Sequence, residues 1–345
     1  MSAGIIVGGI VLLLVLLVGL VWVLGSRAKA RLAAKYPPPG RMVDVGGYRL
    51  HINSQGMPVA GRPTVVMEAA HSEPCLSWAS VQPEVAKFTR VCTYDRAGLG
   101  WSERSPNPRT APNMVEELHS LLARAGVEPP YVLVGHSIGG MYMRLYAREH
   151  PEQVAGMVMV DAAHEEQLAR MPEAIAKMQA TTSRATGCLF GLLKAMSSIG
   201  LLALVAEMKG GLWPTPIPRE ARAAYLSTLY SSPKYFETAK RETLAIPESY
   251  AAVRARQIRS LGDIPLIVIS AGRPAITAGH GISEADAEQF KALAAELHTE
   301  MAALSPKGKR VVAEESGHYV PVDQPQVVGD AIREVVEAAA LSGNA

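Results

Sequence analysis

The sequence predicts an α/β protein: a mostly parallel sheet with crossover helices, interrupted by a helical insertion and preceded by one membrane-spanning helix. Three observations carry this reading. Beyond Arg41, short β-branched runs alternate with longer helical stretches, the pattern of strands joined by crossover helices. Residues 163–260 break that rhythm, because they contain helical patterns and no strand-like run. Residues 3–25 carry no charged side chain at all.

The apolar N-terminal run comes first. At a rise of 1.5 Å per residue, residues 5–24 extend about 30 Å, the hydrocarbon thickness of a bilayer. A cleaved signal peptide would have a shorter apolar region behind a basic start, whereas Met1 and Ser2 carry no side-chain charge. An uncleaved anchor over residues 1–25 is therefore expected, although Ala28 and Ala30 form a small-residue pair compatible with cleavage. Arg27, Lys29, Arg31 and Lys35 follow the span closely, and flanking basic residues tend to stay cytoplasmic, which places the globular part on that face as a single-pass protein. Residues 26–40 are expected to be a linker ending at Pro37-Pro38-Pro39-Gly40.

The core is assigned to residues 41–162 and 261–345. Residues 42–53 read as a hairpin around Gly46-Gly47. Candidate strands follow at 64–69, 90–95, 131–135, 156–161, 265–270 and 310–315, mostly apolar enough to be buried on both faces. Helices are expected near 77–88, 112–125, 139–149, 284–304 and 323–341, the last with Asp323 as N-cap and Pro325 in its first turn. The insertion, 163–260, is too long for a plain connection and reads as a helical cap over the sheet. Within it, residues 187–205 are almost wholly apolar, but Lys194 and Ser197-Ser198 argue for a lid helix rather than a second span. Such a helix can line an apolar pocket, touch the bilayer or pack on the main domain.

Composition removes several function classes. The 34 Lys+Arg against 32 Asp+Glu leave a net charge of +2, with none of the basic excess of a nucleic-acid binder. Cys75, Cys92 and Cys188 have no paired spacing, so neither a disulfide framework nor a cysteine-rich zinc site is supported. Metal-binding HExxH and phosphate-binding GxxxxGK patterns are absent, and no metal or organic cofactor is expected.

The sharpest chemical signal is Gly135-His136-Ser137-Ile138-Gly139-Gly140, between an apolar strand and a helical run. A tight strand-to-helix turn exposes the serine hydroxyl, and glycines on both sides relieve the crowding of the bend. The Ile138 N–H, at the start of the helix, is available to a developing oxyanion. A serine needs a base, and His318 is best placed: it follows the last strand, and loops at the carboxyl ends of parallel strands gather on one edge. His136 belongs to the turn itself, and His71, His280 and His298 are less well placed. For the acid that orients the imidazole, Asp161 ends the strand at 156–161 on the correct edge. The run after 265–270 offers no acid before Glu284 and Asp286, which are the alternatives, and Asp263 lies at the wrong end of its strand.

With these residues, GHSIGG, YDRAGLGWS at 94–102 and SGHYVPVDQP near the end, the chain resembles the α/β-hydrolase superfamily from about Met42 to Leu341. The resemblance implies an eight-stranded sheet, a serine–histidine–acid triad and a substrate-selecting cap. Asp95, Arg96, Gly98 and Gly100 match a loop with a supporting role. Members with aspartate at the elbow include haloalkane dehalogenases and epoxide hydrolases, reactions that Ser137 disfavours. The segment that normally completes the oxyanion hole reads Glu68-Ala69-Ala70-His71-Ser72-Glu73, with Ala70 where glycine is expected and the His71 N–H as the matching donor. The expected reaction is hydrolysis of an ester or similar acyl bond in a hydrophobic small molecule. Amide cleavage, peracid formation and acyl transfer use the same triad, and a non-catalytic ligand-binding protein on this scaffold is the rival of another class.

Overall fold

A hairpin opens the sheet because Gly46 and Gly47 both adopt positive φ, 117° and 96°, in the two-residue turn between Val45 and Tyr48. The Asp44 carboxylate accepts both glycine N–H groups and fixes that turn. In this computed structural model residues 3–209, 217, 219–279 and 281–342 are described. They form an eight-stranded sheet: β1 (Arg41–Asp44), β2 (Arg49–Gln55), β3 (Thr64–Glu68), β4 (Val91–Tyr94), β5 (Tyr131–His136), β6 (Val154–Val160), β7 (Leu266–Ala271) and β8 (Gly308–Ala313). Their order is β1-β2-β4-β3-β5-β6-β7-β8, antiparallel at the β1–β2 and β2–β4 pairs and parallel from β4 to β8.

Helices cover both faces, as parallel crossovers require. In chain order they are α1 (Ala3–Lys35), α2 (Gln82–Val85), α3 (Ala111–Arg124), α4 (Ile138–Glu149), α5 (Gln167–Arg170), α6 (Glu173–Ser198), α7 (Leu201–Lys209), α8 (Arg219–Tyr230), α9 (Pro233–Ala255), α10 (Glu284–Ala302), α11 (Val320–Asp323) and α12 (Pro325–Ser342). Because strand side chains alternate, Leu133, Met157 and Val268 face one apolar layer with α3 and α4. Val132, Val134, Val158 and Ile267 face the other layer with α12. Each such side chain contributes about 1.5–3 kcal/mol by leaving water.

The expected strands and hairpin are present, and several local expectations are corrected. The helix expected at 77–88 is a 3-10 turn, Cys75–Trp78, followed by the single turn of α2. β8 starts at Gly308 and only its Ala313 is buried, since it is an edge strand with one partner. Asp323 does not cap the last helix. It ends α11, and its carboxylate accepts the Gly317 N–H and the Ser316 hydroxyl, while α12 starts at Pro325.

Residues 163–260 contain α5 to α9 and no strand among the described residues. The apolar stretch 187–205 is not one helix: α6 ends at Ser198, Gly200 takes φ 80°, and the chain turns by 81° into α7. Prolines 214, 216 and 218 of the insertion lie outside the described residues.

Among the described residues, α1 is the single unbroken helix long and apolar enough to cross a membrane, and its large side chains from Ile5 to Leu24 are exposed apart from half-buried Val21. It does not stop where the span ends. Residues 26–35, expected as linker, continue α1 to Lys35, because nothing breaks the helix before Pro37.

Leu133 is fully buried at the centre of the sheet. Leu133→Ala should lower stability by about 2–5 kcal/mol through lost burial and a residual cavity. Denaturant unfolding of the detergent-solubilised chain checks this, and an unchanged midpoint would contradict the placement of β5.

Candidate active site

β5 delivers its chain to the carboxyl edge of the sheet, where Ser137 reverses it into α4 with φ 55° and ψ −125°. That left-handed conformation costs a non-glycine residue of order 1–3 kcal/mol and persists only where packing dictates it. The neighbouring glycines show what dictates it. A Cβ on Gly135 would lie 2.5 Å from Gly140 Cα, and one on Gly139 would lie 2.5 Å from the Ala69 carbonyl oxygen. The Ser137 N–H donates to Val160 O, and its carbonyl accepts from Gly140 and Ala163, so the elbow is bound to the end of β6.

Three side chains converge there. His318 Nε2 lies 3.0 Å from Ser137 Oγ, and His318 Nδ1 lies 2.6 Å from Asp161 Oδ2. Asp161 follows β6 with φ 41°, and its second oxygen accepts the Ala271 N–H at 2.9 Å. Burial opposes the charge on His318, but the Asp161 hydrogen bond and carboxylate charge overcome it and raise the imidazole above its ordinary value. Asp161 is likewise drawn down against burial by its bond to His318. Glu284 and Asp286 stand apart, exposed in the first turn of α10, where Asp286 is engaged with Ser283. Asp263 is exposed before β7, and His280 lies outside the described residues.

Two histidines support this arrangement from behind, which sequence placement alone did not reveal. His136 Nε2 donates to the His318 carbonyl at 2.7 Å. Burial and the nearby His318 charge depress His136 to about 3, so it stays neutral. His298 bridges Ser270 Oγ and the Ala162 carbonyl next to Asp161.

The loop after β3 sits beside the elbow and is fixed by a buried charge cluster. Arg96 donates to the Ala69 and Ala70 carbonyls at 3.0 and 2.8 Å and pairs with Glu68 and with Glu242 of α9. Glu242 also accepts the Ser72 N–H at 3.0 Å. Although burial opposes its charge, Arg96 draws Glu242 down to about 2. The positive φ of this loop, 57°, falls at Ser72, and Ala70, standing where glycine is usual, is not among the residues with positive φ. The His71 ring contacts Thr243 and Ser72, and burial depresses its pKa.

His51, Cys75 and Asp95 also converge within reach of one ion. Their donors and acceptors are already engaged. His51 bonds Asp95 and the Pro39 carbonyl, and Asp95 also accepts the Cys75 and Trp101 N–H groups. The cluster ties β2, the loop after β4 and the chain leaving α1 to one another.

Sheet order, elbow and cap together are the arrangement of the α/β hydrolases, an enzyme class built on one scaffold with variable caps. The chain belongs to this family: a family model described as the alpha/beta hydrolase fold matches residues 69–325. Over 277 residues it is 27% identical to the uncharacterized protein YqjL of Bacillus subtilis, covering 79% of this chain and 83% of that one. It is 36% identical over 136 residues to the Hormonema carpetanum protein named "Probable transporter efuK", covering 38% of this chain and only 20% of that protein's length. Among solved structures it is similar to the epoxide hydrolase CorEH, with 17% identity, TM-score 0.61 and coverage of 86% and 97%. An esterase from Thermogutta terrifontis shares 20% identity at TM-score 0.56, with coverage of 87% and 98%. At such identities the structural likeness speaks for the fold, and the family supports hydrolysis as the reaction class.

Glu73 is buried beside this site, its Oε2 has no hydrogen-bond partner, and burial pushes its pKa up to about 7. A carboxyl with a raised folded pKa holds an extra proton in the folded state between its unfolded value of about 4.3 and its folded one. Stability from this group is therefore complete below that window and declines as pH rises through it. Glu73→Gln should flatten the decline, so thermal unfolding at pH 5 and pH 8 should separate the variant from the parent mainly at pH 8. Equal separation at both would refute this burial effect.

Proposed function

We propose that this chain is a membrane-anchored serine hydrolase that cleaves an ester or related acyl bond in a hydrophobic substrate, its catalytic part on the cytoplasmic face. The observation that carries the reading is the hydrogen-bonded series Ser137 Oγ, His318 Nε2, His318 Nδ1 and Asp161 Oδ2, at 3.0 and 2.6 Å. As the substrate carbonyl is attacked, the Ser137 proton passes to His318 Nε2, and Asp161 stabilises the resulting imidazolium.

The tetrahedral oxygen carries a full negative charge and needs donors already in place. Ile138 starts α4, where the first N–H groups have no intrahelical acceptor. In the loop after β3, the N–H groups of Ser72 and Glu73 are bonded to Glu242 and to the Ala70 carbonyl. Among residues 71–73, His71 is thus the donor left for substrate, and we assign it with Ile138 to the oxyanion. Collapse of the intermediate returns the proton from His318 to the leaving group. Water then attacks the acyl-enzyme by the same route, restoring Ser137. The apolar cap and the anchor favour a hydrophobic acyl compound, and a serine at the elbow supports acyl transfer to water rather than the aspartate-based opening of epoxides.

Fluorophosphonate should label purified, folded protein on Ser137, and Ser137→Ala should abolish the adduct. Absence of labelling in the parent protein would favour a ligand-binding role. Because protonated His318 cannot accept the serine proton, kcat/KM for p-nitrophenyl esters should rise with pH through a value above about 6.5. Asp161→Asn should lower kcat on the order of 10⁴-fold and move that acidic limb downward. Turnover unchanged by this substitution would reject Asp161 as the orienting acid.

A further inference from the structure

The anchor does more than end at the membrane. Its last turns pack along α7 of the cap with matched progress: Gly25 meets Gly200, where a Cβ on Gly25 would lie 2.5 Å from Gly200 Cα, and Ala28 and Leu32 pack with Ala203. Small residues at such contacts let two helix backbones approach closely. Lys29 Nζ donates to the Ser198 carbonyl at 3.2 Å, and Arg31 makes a two-pronged pair with Glu207 at 2.9 and 2.7 Å. The chain leaving α1 is tied to the core as well, since Trp101 Nε1 donates to the Tyr36 carbonyl and His51 Nε2 to the Pro39 carbonyl. The anchor is therefore docked on the globular part along its emergent end.

This docking orients the cap. Because 25 faces 200, 28 faces 203 and 31 faces 207, α7 runs beside α1 in the same direction, away from the bilayer. α6 meets α7 at 81°, so it runs across the axis of α1 at the level of Gly25, where the apolar run ends. The C-terminal half of α6 turns an exposed face outward at Ala185, Cys188, Leu189, Leu192 and Ala195, each three or four residues from another of the set and none of them charged. Leu189 and Leu192 are 45% and 59% exposed, while Leu193 and Ser197 face inward. An exposed apolar stripe on a helix lying in the surface plane is the form of an interfacial membrane helix.

We propose that the C-terminal half of α6 is such a helix, seating Leu189 and Leu192 in the interfacial layer of the lipid bilayer that α1 spans, so that the cap rests on the membrane. The proposal rests on residues 5–24 being a transmembrane span. It joins two apolar surfaces at Gly25 and Gly200 into one, and a lipid surface is the occupant that touches both.

Cys188 offers a site for the test, because Cys75 and Cys92 are buried and Cys188 is exposed on the stripe. The full chain, labelled at Cys188 with an environment-sensitive fluorophore, is reconstituted in phosphatidylcholine vesicles carrying nitroxides near the headgroup or in mid-chain. A parallel sample carries the label at Leu14→Cys in a Cys188→Ser background. The expected result is blue-shifted emission from Cys188 with stronger quenching by headgroup-proximal nitroxides, and stronger mid-chain quenching for the label at position 14. Quenching at position 14 with a water-like, unquenched Cys188 would overturn the interfacial helix and leave the span intact. No quenching at position 14 would overturn the span, and the interfacial helix with it.

Discussion

The site depends on one constraint: the chain must reverse from β5 into α4 within a single residue, and that residue is Ser137. With φ at 55° the serine is held in a conformation it would not choose. Packing leaves no other, because Gly135, Gly139 and Gly140 bring the strand end, the helix start and the loop after β3 too close for side chains. The result is a hydroxyl projecting from the end of a buried strand toward a histidine 181 residues away in sequence. The parallel β5–β6 and β6–β7 ladders, which meet at this edge, set the distance between Ser137 and Asp161.

Around that reversal, hydrogen bonds from buried polar groups order the His318 and Asp161 side chains. His318 is gripped from both ends, its ring by Asp161 and its carbonyl by His136. Neutral His136 suits this role, since a second positive charge beside His318 would make its protonation harder. The Glu68–Arg96–Glu242 cluster holds the neighbouring loop through its carbonyls and the Ser72 N–H. Glu242 comes from the cap, so cap and loop share one buried charge network. A cap displaced far enough to break it would leave Arg96 partly unpaired in a dry interior, which resists such motion.

Close contact also governs the base of the N-terminal helix. α1 is longer than a bilayer is thick, and its surplus turns are packed against α7 rather than left in water. Glycines on both sides of that contact allow the approach, and the Arg31–Glu207 pair supports its outer end. α1 thereby constrains the cap, and through Glu242 the cap constrains the loop beside Ser137.

By itself the sequence determined whatever depends on local pattern. Apolar β-branched runs predicted the strands, the uncharged run at 5–24 the long apolar N-terminal helix, and the GHSIGG turn the sharp reversal at Ser137, because each is set by neighbours within a few residues. His318 and Asp161 were legible because loops after parallel strands must share an edge. Features created by distant segments meeting were decided by the tertiary structure alone: the pairing of Arg96 with Glu242, the positive φ at Ser72, the grip of His136 on the His318 carbonyl, and the bend at Gly200 against Gly25. Side-chain pairing across 100 or more residues leaves no periodic trace in a single chain, since its energy depends on burial and distance that exist only after folding.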